Sequence, residues 1–145
     1  MTGRPPRFVV DTDVLSETAR PRPDARVIEW FAAQGSIAIA AVSVYELARG
    51  VERLPSGRKR QFLEAWLGRL LDGSFEIVGF DQEAALAAAH LERDARQRGR
   101  AIETRDLFIL AAAKARRLAL ATRNTAHFRG HGVGIYDPFA DLHAV

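Results

Sequence analysis

The sequence predicts an α/β domain with a parallel sheet of four to five short strands and helices on both faces. Two observations carry that reading. First, short apolar runs at residues 8–10, 37–42, 75–80, 118–121 and 133–136 alternate with longer segments whose apolar residues recur at helical spacing. Alternation of this kind is the mark of β–α units, whose strands run parallel and are covered from both sides. Second, three acids stand where an apolar segment gives way to something else: Asp11 ends Phe8-Val9-Val10, Glu46 follows the run from Ile37 to Ser43, and Asp106 opens Leu107-Phe108-Ile109-Leu110-Ala111. Sites in open α/β proteins assemble outside the carboxyl ends of parallel strands.

Taken in order, Phe8 to Val10 is a short buried strand and residues 13–18 are a short helix. Pro21 and Pro23 interrupt the chain, and Asp24 is placed to cap a helix over Ala25–Ala33, with Gly35 as its stop. Residues 37–42 form the second strand and residues 43–54 the next helix. Pro55-Ser56-Gly57 is a turn. Residues 58–71 carry Phe62, Ala65, Trp66, Leu67, Leu70 and Leu71 at helical spacing, and Asp72-Gly73 ends the segment. The third strand spans residues 75–80. Asp81 caps a long helix that Gly99 ends near Arg98, and residues 104–116 form a further, largely buried helix. Strands at 118–121 and 133–136 close the list, the latter just before Pro138.

With 145 residues and 48% hydrophobic content, the chain fits one domain over residues 1–145 with a real core. The absence of cysteine excludes disulfides, thiolate metal sites and cysteine nucleophiles. No run approaches the ~20 apolar residues needed to cross a bilayer, so no membrane partner is expected. The first residues, Met-Thr-Gly-Arg-Pro-Pro-Arg, lack the apolar stretch of a signal peptide, so a cytoplasmic location is expected. A net charge of +3 points only weakly to a polyanionic partner. Arginine far outnumbers lysine, which suits phosphate recognition but equally reflects a GC-rich genome.

Each acid has a bland reading beside a chemical one. Asp11 is either a turn or cap aspartate or a site carboxylate. Asp13 suits a helix cap best; a metal carboxylate or a group behind the ligands are its other roles. Ser43-Val44-Tyr45-Glu46 fits a capping box, in which Glu46 bonds back to the Ser43 N–H, yet the same placement aims Glu46 at the rim of the sheet. Asp106 suits the positive end of its helix. Because that helix is buried, the acid needs a partner, such as Arg105 or Arg123, or lines a cleft. Asn124 is either the cap of a short helix containing His127 and Phe128 or a ligand and holder of water, and Thr122 is placed to orient a neighbouring carboxylate. Three gathered carboxylates repel one another unless a hard divalent cation neutralises them. His90, His127, His131 and His143 show no zinc-site spacing.

Four segments together resemble the PIN-domain ribonucleases, in particular VapC-type toxins of bacterial toxin–antitoxin pairs: FVVDTDVLSE (8–17), SVYELARG (43–50), RDLFILAAA (105–113) and LATRNTAHF (120–128). They stand in that family's order and spacing, and the likeness covers nearly the whole chain. The stretch RPRPD (20–24) with the helix start after it is similar to the FitB-like subgroup. The resemblance implies a PIN fold and Mg²⁺- or Mn²⁺-dependent cleavage of RNA. Asp11, Glu46 and Asp106 match the family's three acids, and Asn124 its fourth position. It also implies a cognate antitoxin, contact with operator DNA only through that antitoxin, and a homodimer. The chain departs from the pattern at Asp13, where the family usually has Asn, and at Leu110, where a small residue is usual.

On this reading Asp11 and Asp106 are the primary ligands of one Mg²⁺. Glu46 binds a second ion, or holds and deprotonates the attacking water, and Asn124 supports the water. Ser43 and Thr122 stand behind these groups, while Arg49 and Arg53 share the Glu46 helix face as candidates for substrate phosphate or antitoxin. Two alternatives are a haloacid-dehalogenase-like phosphatase, with Asp11 as nucleophile and Asp13 as acid/base, and a non-catalytic PIN module acting with a DNA-binding antitoxin.

Overall fold

Strand β1 (Phe8–Val10) occupies the middle of a five-stranded sheet, with β2 (Ala38–Ala40) and β3 (Glu76–Val78) on one side and β4 (Ala119–Ala121) and β5 (Ile135–Tyr136) on the other. Every pairing is parallel, with Val9 opposite both Ala38 and Leu120. The structure is a computed structural model that describes residues 5–73 and 75–140. The helices are α1 (Thr12–Glu17), α2 (Ala25–Ala33), α3 (Ala41–Glu52), α4 (Arg58–Asp72), α5 (Gln82–Gln97), α6 (Thr104–Ala115) and α7 (Thr125–Phe128). The α/β class, the parallel sheet and the helix cover on both faces are as the sequence predicts, and the upper strand count holds.

Successive strand residues feed two separate cores. Val9, Ala38, Ala40 and Leu120 pack with Leu91 of α5 and Ile109 of α6. Their neighbours Val10, Ile39 and Ala121 pack on the other face with Val14, Val27, Trp30, Leu47 and Leu70. A slip of one residue would exchange the faces, so two apolar layers fix the register. Helix α6 is buried almost all round, from Leu107 to Ala113, because it touches β1, β4 and α5 together. A helix without a polar face belongs in such a place.

The strand order β3-β2-β1-β4-β5 reverses direction between β1 and β4. At such a switch point the loops leaving the two strands part, and a crevice opens at their carboxyl ends. Asp11 and Thr122 stand at those two ends.

Several caps are as expected. Asp24 accepts from the Arg26 N–H at 2.9 Å, and Asp81 from the Ala84 N–H at 2.9 Å. Gly99 follows α5 with φ +70°. Four local expectations are corrected. Helix α1 starts at Thr12 and is capped by Asp11, not Asp13, which lies in its first turn. Helix α3 starts at Ala41, directly after β2, so Ser43 is inside the helix and no capping box forms; Ala40 occupies the cap position without a side-chain bond. An unbroken apolar run carries no mark of where strand becomes helix. Helix α2 ends on Gln34 in extended backbone (φ −82°, ψ 134°) without a left-handed Gly35. Strands β2, β3 and β5 are shorter than their apolar runs. Among the described residues no helix is long and apolar enough to cross a membrane.

Candidate active site

The crevice at the switch point is built from the ends of β1 and β4. The Asp11 N–H donates to the Ala121 carbonyl at 2.8 Å, which carries the sheet one residue past β1. Its carboxylate accepts from the Thr12 N–H at Oδ1 and from the Thr122 hydroxyl at Oδ2, both at 2.8 Å. Thr122 is fully buried, donates its N–H to the Tyr136 carbonyl, and receives the Asn124 N–H on its hydroxyl at 3.1 Å. Burial pushes the Asp11 carboxyl up to about 6, with Asp13 and Glu46 adding repulsion and the two hydrogen bonds opposing it.

Glu46 reaches the same place from the second turn of α3. Its Oε1 accepts the Thr12 hydroxyl at 2.8 Å, and its Oε2 is 3.9 Å from an Arg105 guanidinium nitrogen. The Thr12 and Ser43 hydroxyls are 3.0 Å apart. Thr12 has one proton and a carboxylate only accepts, so fully buried Ser43 is the donor in that pair. Asp106 enters from the first turn of α6, where the helix dipole favours an acid. Burial raises its carboxyl, with Asp11 the next cause, and nearby His127 opposes the rise. The His127 Nε2 lies 3.3 Å from the Asp106 Oδ2. Neither expected arginine pairs with Asp106: Arg105 bonds Glu103 at 3.1 Å, and the Arg123 guanidinium lies 4.4 Å over the Phe139 ring.

Asp11, Thr12, Asp13, Ser16, Glu46, Asp106, Asn124 and Phe128 line one cavity of about 330 Å³. The four residues predicted to carry the chemistry are thus brought together from four elements, with Asp13 beside them. Two clefts adjoin it. One, of about 480 Å³, shares Thr12, Ser16 and Glu46 and has an apolar floor of Leu47, Val51 and Trp66 with Arg20 and Lys59 on its lining; the other, of about 530 Å³, shares Asn124 and includes His127 and Arg100. Arg49 and Arg53 line none of the three. A further cavity of about 400 Å³, beside Trp30 and Tyr136, lies at the start of β1 with Glu29 as its one acid. Thr12 and His127 are the site residues that sequence reasoning missed. Thr12 sits beside Asp11 in sequence, a usable signal, whereas His127 gives none until α6 and α7 are placed in space.

A family model described as PIN domain matches residues 8–131. The chain belongs to the PIN-domain family. Two curated relatives are the toxin FitB of Neisseria gonorrhoeae, 33% identical with 92% of this chain and 99% of that protein covered, and the VapC ribonuclease Y4jK of Sinorhizobium fredii, 33% identical with 91% and 97% covered. Among solved structures, the FitAcB crystal structure from N. gonorrhoeae superposes with a TM-score of 0.85 at 32% identity, covering 92% of this chain and 99% of that one. VapBC-5 of Mycobacterium tuberculosis, a member of the VapBC family of toxin–antitoxin systems, superposes with a TM-score of 0.70 at 26% identity, covering 91% and 99%.

PIN-domain membership leaves the phosphatase alternative without support. Asp13 itself adds nothing to it: burial raises its carboxyl, with the nearby Val14 and Arg123 backbone N–H groups opposing the rise. A divalent cation fits this site by donor chemistry and by charge. The polar lining offers carboxylate, amide and hydroxyl oxygens, the donors hard cations take. Burial raises Asp11, Asp13 and Asp106, and at Asp11 and Asp106 neighbouring carboxylates add repulsion that a cation relieves. As placed, no three His, Cys, Asp or Glu side chains among the described residues are arranged to hold one ion. Glu46 is bonded to the Thr12 hydroxyl, and the Asp106 Oδ2 faces the His127 Nε2.

Proposed function

We propose that this PIN domain is the toxin of a toxin–antitoxin pair and a metal-dependent endoribonuclease that hydrolyses RNA phosphodiester bonds. The observation that carries the reading is the convergence of Asp11, Glu46, Asp106 and Asn124 on one cavity at the switch point of the sheet. The names of the relatives, a toxin and a VapC ribonuclease, support it.

Asp11 and Asp106 would hold Mg²⁺, or Mn²⁺ in its place. When bound, the cation lowers the pKa of water and offsets charge building on the phosphoryl oxygens. Asp11 is fixed in place by the Thr12 N–H and the Thr122 hydroxyl, so its ligating geometry is set before substrate arrives. Glu46 accepts the proton of the attacking water; Thr12 occupies its Oε1 and leaves Oε2 for that proton. Asn124, set by its N–H bond to Thr122, holds the water. The water oxygen bonds to phosphorus, the phosphorus–oxygen bond to the neighbouring ribose breaks, and the departing oxygen takes a proton from solvent. A cognate antitoxin, operator DNA contact through that antitoxin, and a homodimer complete the proposal, in line with neighbours that are toxin–antitoxin complexes.

The test is cleavage of tRNA, ribosomal fragments and unstructured RNA by antitoxin-free protein in Mg²⁺ or in EDTA, beside Asp106→Asn. Cleavage is expected in Mg²⁺ alone, and the variant should lose about 100-fold or more in kcat. Equal cutting in EDTA, or by the variant, overturns the proposal.

A further inference from the structure

The acids around the cavity are not held alike. Asp11 accepts two hydrogen bonds, Asp13 has the Val14 and Arg123 backbone N–H groups beside it, and Glu46 accepts the Thr12 hydroxyl. Asp106 accepts none among the described residues, yet it is half-buried and starts the most buried helix of the fold. The His127 Nε2 lies 3.3 Å from its Oδ2 but out of line for a hydrogen bond. That Nε2 is buried and has no other partner among the described residues. A buried donor and a half-buried acceptor therefore face each other, each lacking what the other offers. Leaving such groups unmatched is costly unless a small rotation completes the bond.

The surroundings hold the histidine in place. Helix α7 is a single turn, closed by the His127 N–H to the Asn124 carbonyl at 3.2 Å. The His127 ring stands edge-on to Phe128, with centroids 5.2 Å apart and planes at 86°, and Phe128 is locked in the core. One turn of chain thus presents Asn124 to the cavity and His127 to Asp106.

We propose that His127 is a positioning residue: its Nε2–H donates to the Asp106 Oδ2, fixes the carboxylate's plane, and leaves Oδ1 for the cation. The inference rests on the nuclease reading and adds a part to it. Carboxylates that ligate metals are themselves held by such outer partners, whose loss typically lowers metal affinity by about 10–100-fold.

The test is Mn²⁺ affinity, measured by titration calorimetry on full-length wild type, His127→Ala and His127→Gln, with steady-state RNA cleavage alongside and folding checked by circular dichroism. Wild type should bind Mn²⁺. His127→Ala should bind about 10-fold more weakly and lose kcat with little change in KM. His127→Gln, whose amide can donate from a similar reach, should recover most of both. In an Asp106→Asn background, His127→Ala should change Mn²⁺ affinity no further. A folded His127→Ala with wild-type Mn²⁺ affinity overturns the positioning role and leaves the nuclease intact. Additive losses in the double variant overturn it too, since His127 would then act apart from Asp106. If His127→Ala fails to fold, His127→Gln decides, and loss equal to Asp106→Asn sinks the inference. Wild type that binds no Mn²⁺ and cuts no RNA overturns the nuclease reading and this inference with it.

Discussion

Asp11 is where the needs of folding and of chemistry conflict. It is 7% exposed and stands against Asp13 and Glu46, so its ionised form is raised in energy, and its carboxyl lies at about 6 instead of the ordinary 3.8. Between those two values the folded protein keeps a proton that the unfolded chain has released. Stability from this group is therefore complete below 3.8 and is lost as pH rises through about 6. Asp106 and Asp13, raised by burial, act with the same sign, while Asp24, held near 2 by Arg26, acts with the opposite sign only in acid. Asp11→Asn should accordingly stabilise the cation-free protein at pH 7, by up to on the order of 3 kcal/mol. Mn²⁺ should raise the wild-type Tm at pH 7 by more than it raises the variant's. Thermal melts with and without EDTA at pH 4 and pH 7 check both statements; a variant that melts lower than wild type in EDTA at pH 7 would show that the carboxylate is not under strain.

At the scale of elements, two helices end in the same way with different residues. After α5, the Gly99 N–H donates to the Arg96 carbonyl at 3.0 Å and the Arg100 N–H to Ala95 at 2.9 Å. After α6, the Arg117 N–H donates to Lys114 at 3.1 Å and the Leu118 N–H to Ala113 at 2.9 Å. Both are Schellman turns, which place the residue after the cap in the left-handed region. Gly99 sits there freely at φ +70°, but Arg117 is held at φ +56° against its Cβ. Arg117→Gly should stabilise the fold by about 1 kcal/mol and raise Tm by roughly 3 °C, and Gly99→Ala should cost a similar amount; a lower Tm for Arg117→Gly would mean that the arginine side chain contributes more than its backbone costs. The same pair marks what the sequence makes legible. Gly99, Asp24 and Asp81 announce helix ends by residue type, and the apolar runs announce the strands. The left-handed turn at Arg117 carries no glycine to announce it. Ser43 and Glu46 mimic a capping box because their spacing is right, but the helix begins two residues earlier, where Ala40-Ala41-Val42 suits either structure. Asp11, Glu46, Asp106 and Asn124 were legible because each ends or begins an apolar segment. Thr122 joins Asp11 across 111 residues, and the sequence marks it only by its place at a strand end. His127 meets Asp106 by packing alone.

At the scale of the whole molecule, a modest net charge of +3 is less informative than where the cations stand. The carboxylate cavity adjoins a cleft with Arg20 and Lys59 and a second cleft with Arg100. Arg105 lies beside Glu46. An RNA strand that runs from the cavity into these clefts would meet positive charge beside the acids, which offsets the repulsion those acids exert on its phosphates. Each cation that neutralises a phosphate adds about 0.7 to the slope of log affinity against log salt for a single strand. Lys59→Gln with Arg100→Gln should flatten that slope by about 1.4. Arg49→Gln with Arg53→Gln should leave it unchanged, because those arginines line neither the cavity nor its clefts. The measurement is RNA binding in an Asp106→Asn background, where the strand stays uncut, over a series of KCl concentrations. Flattening by the first pair alone would place the strand along the furrow through the acids; flattening by the second pair alone would move it to the outer face of α3 and leave the cavity reached only by a looped-out nucleotide.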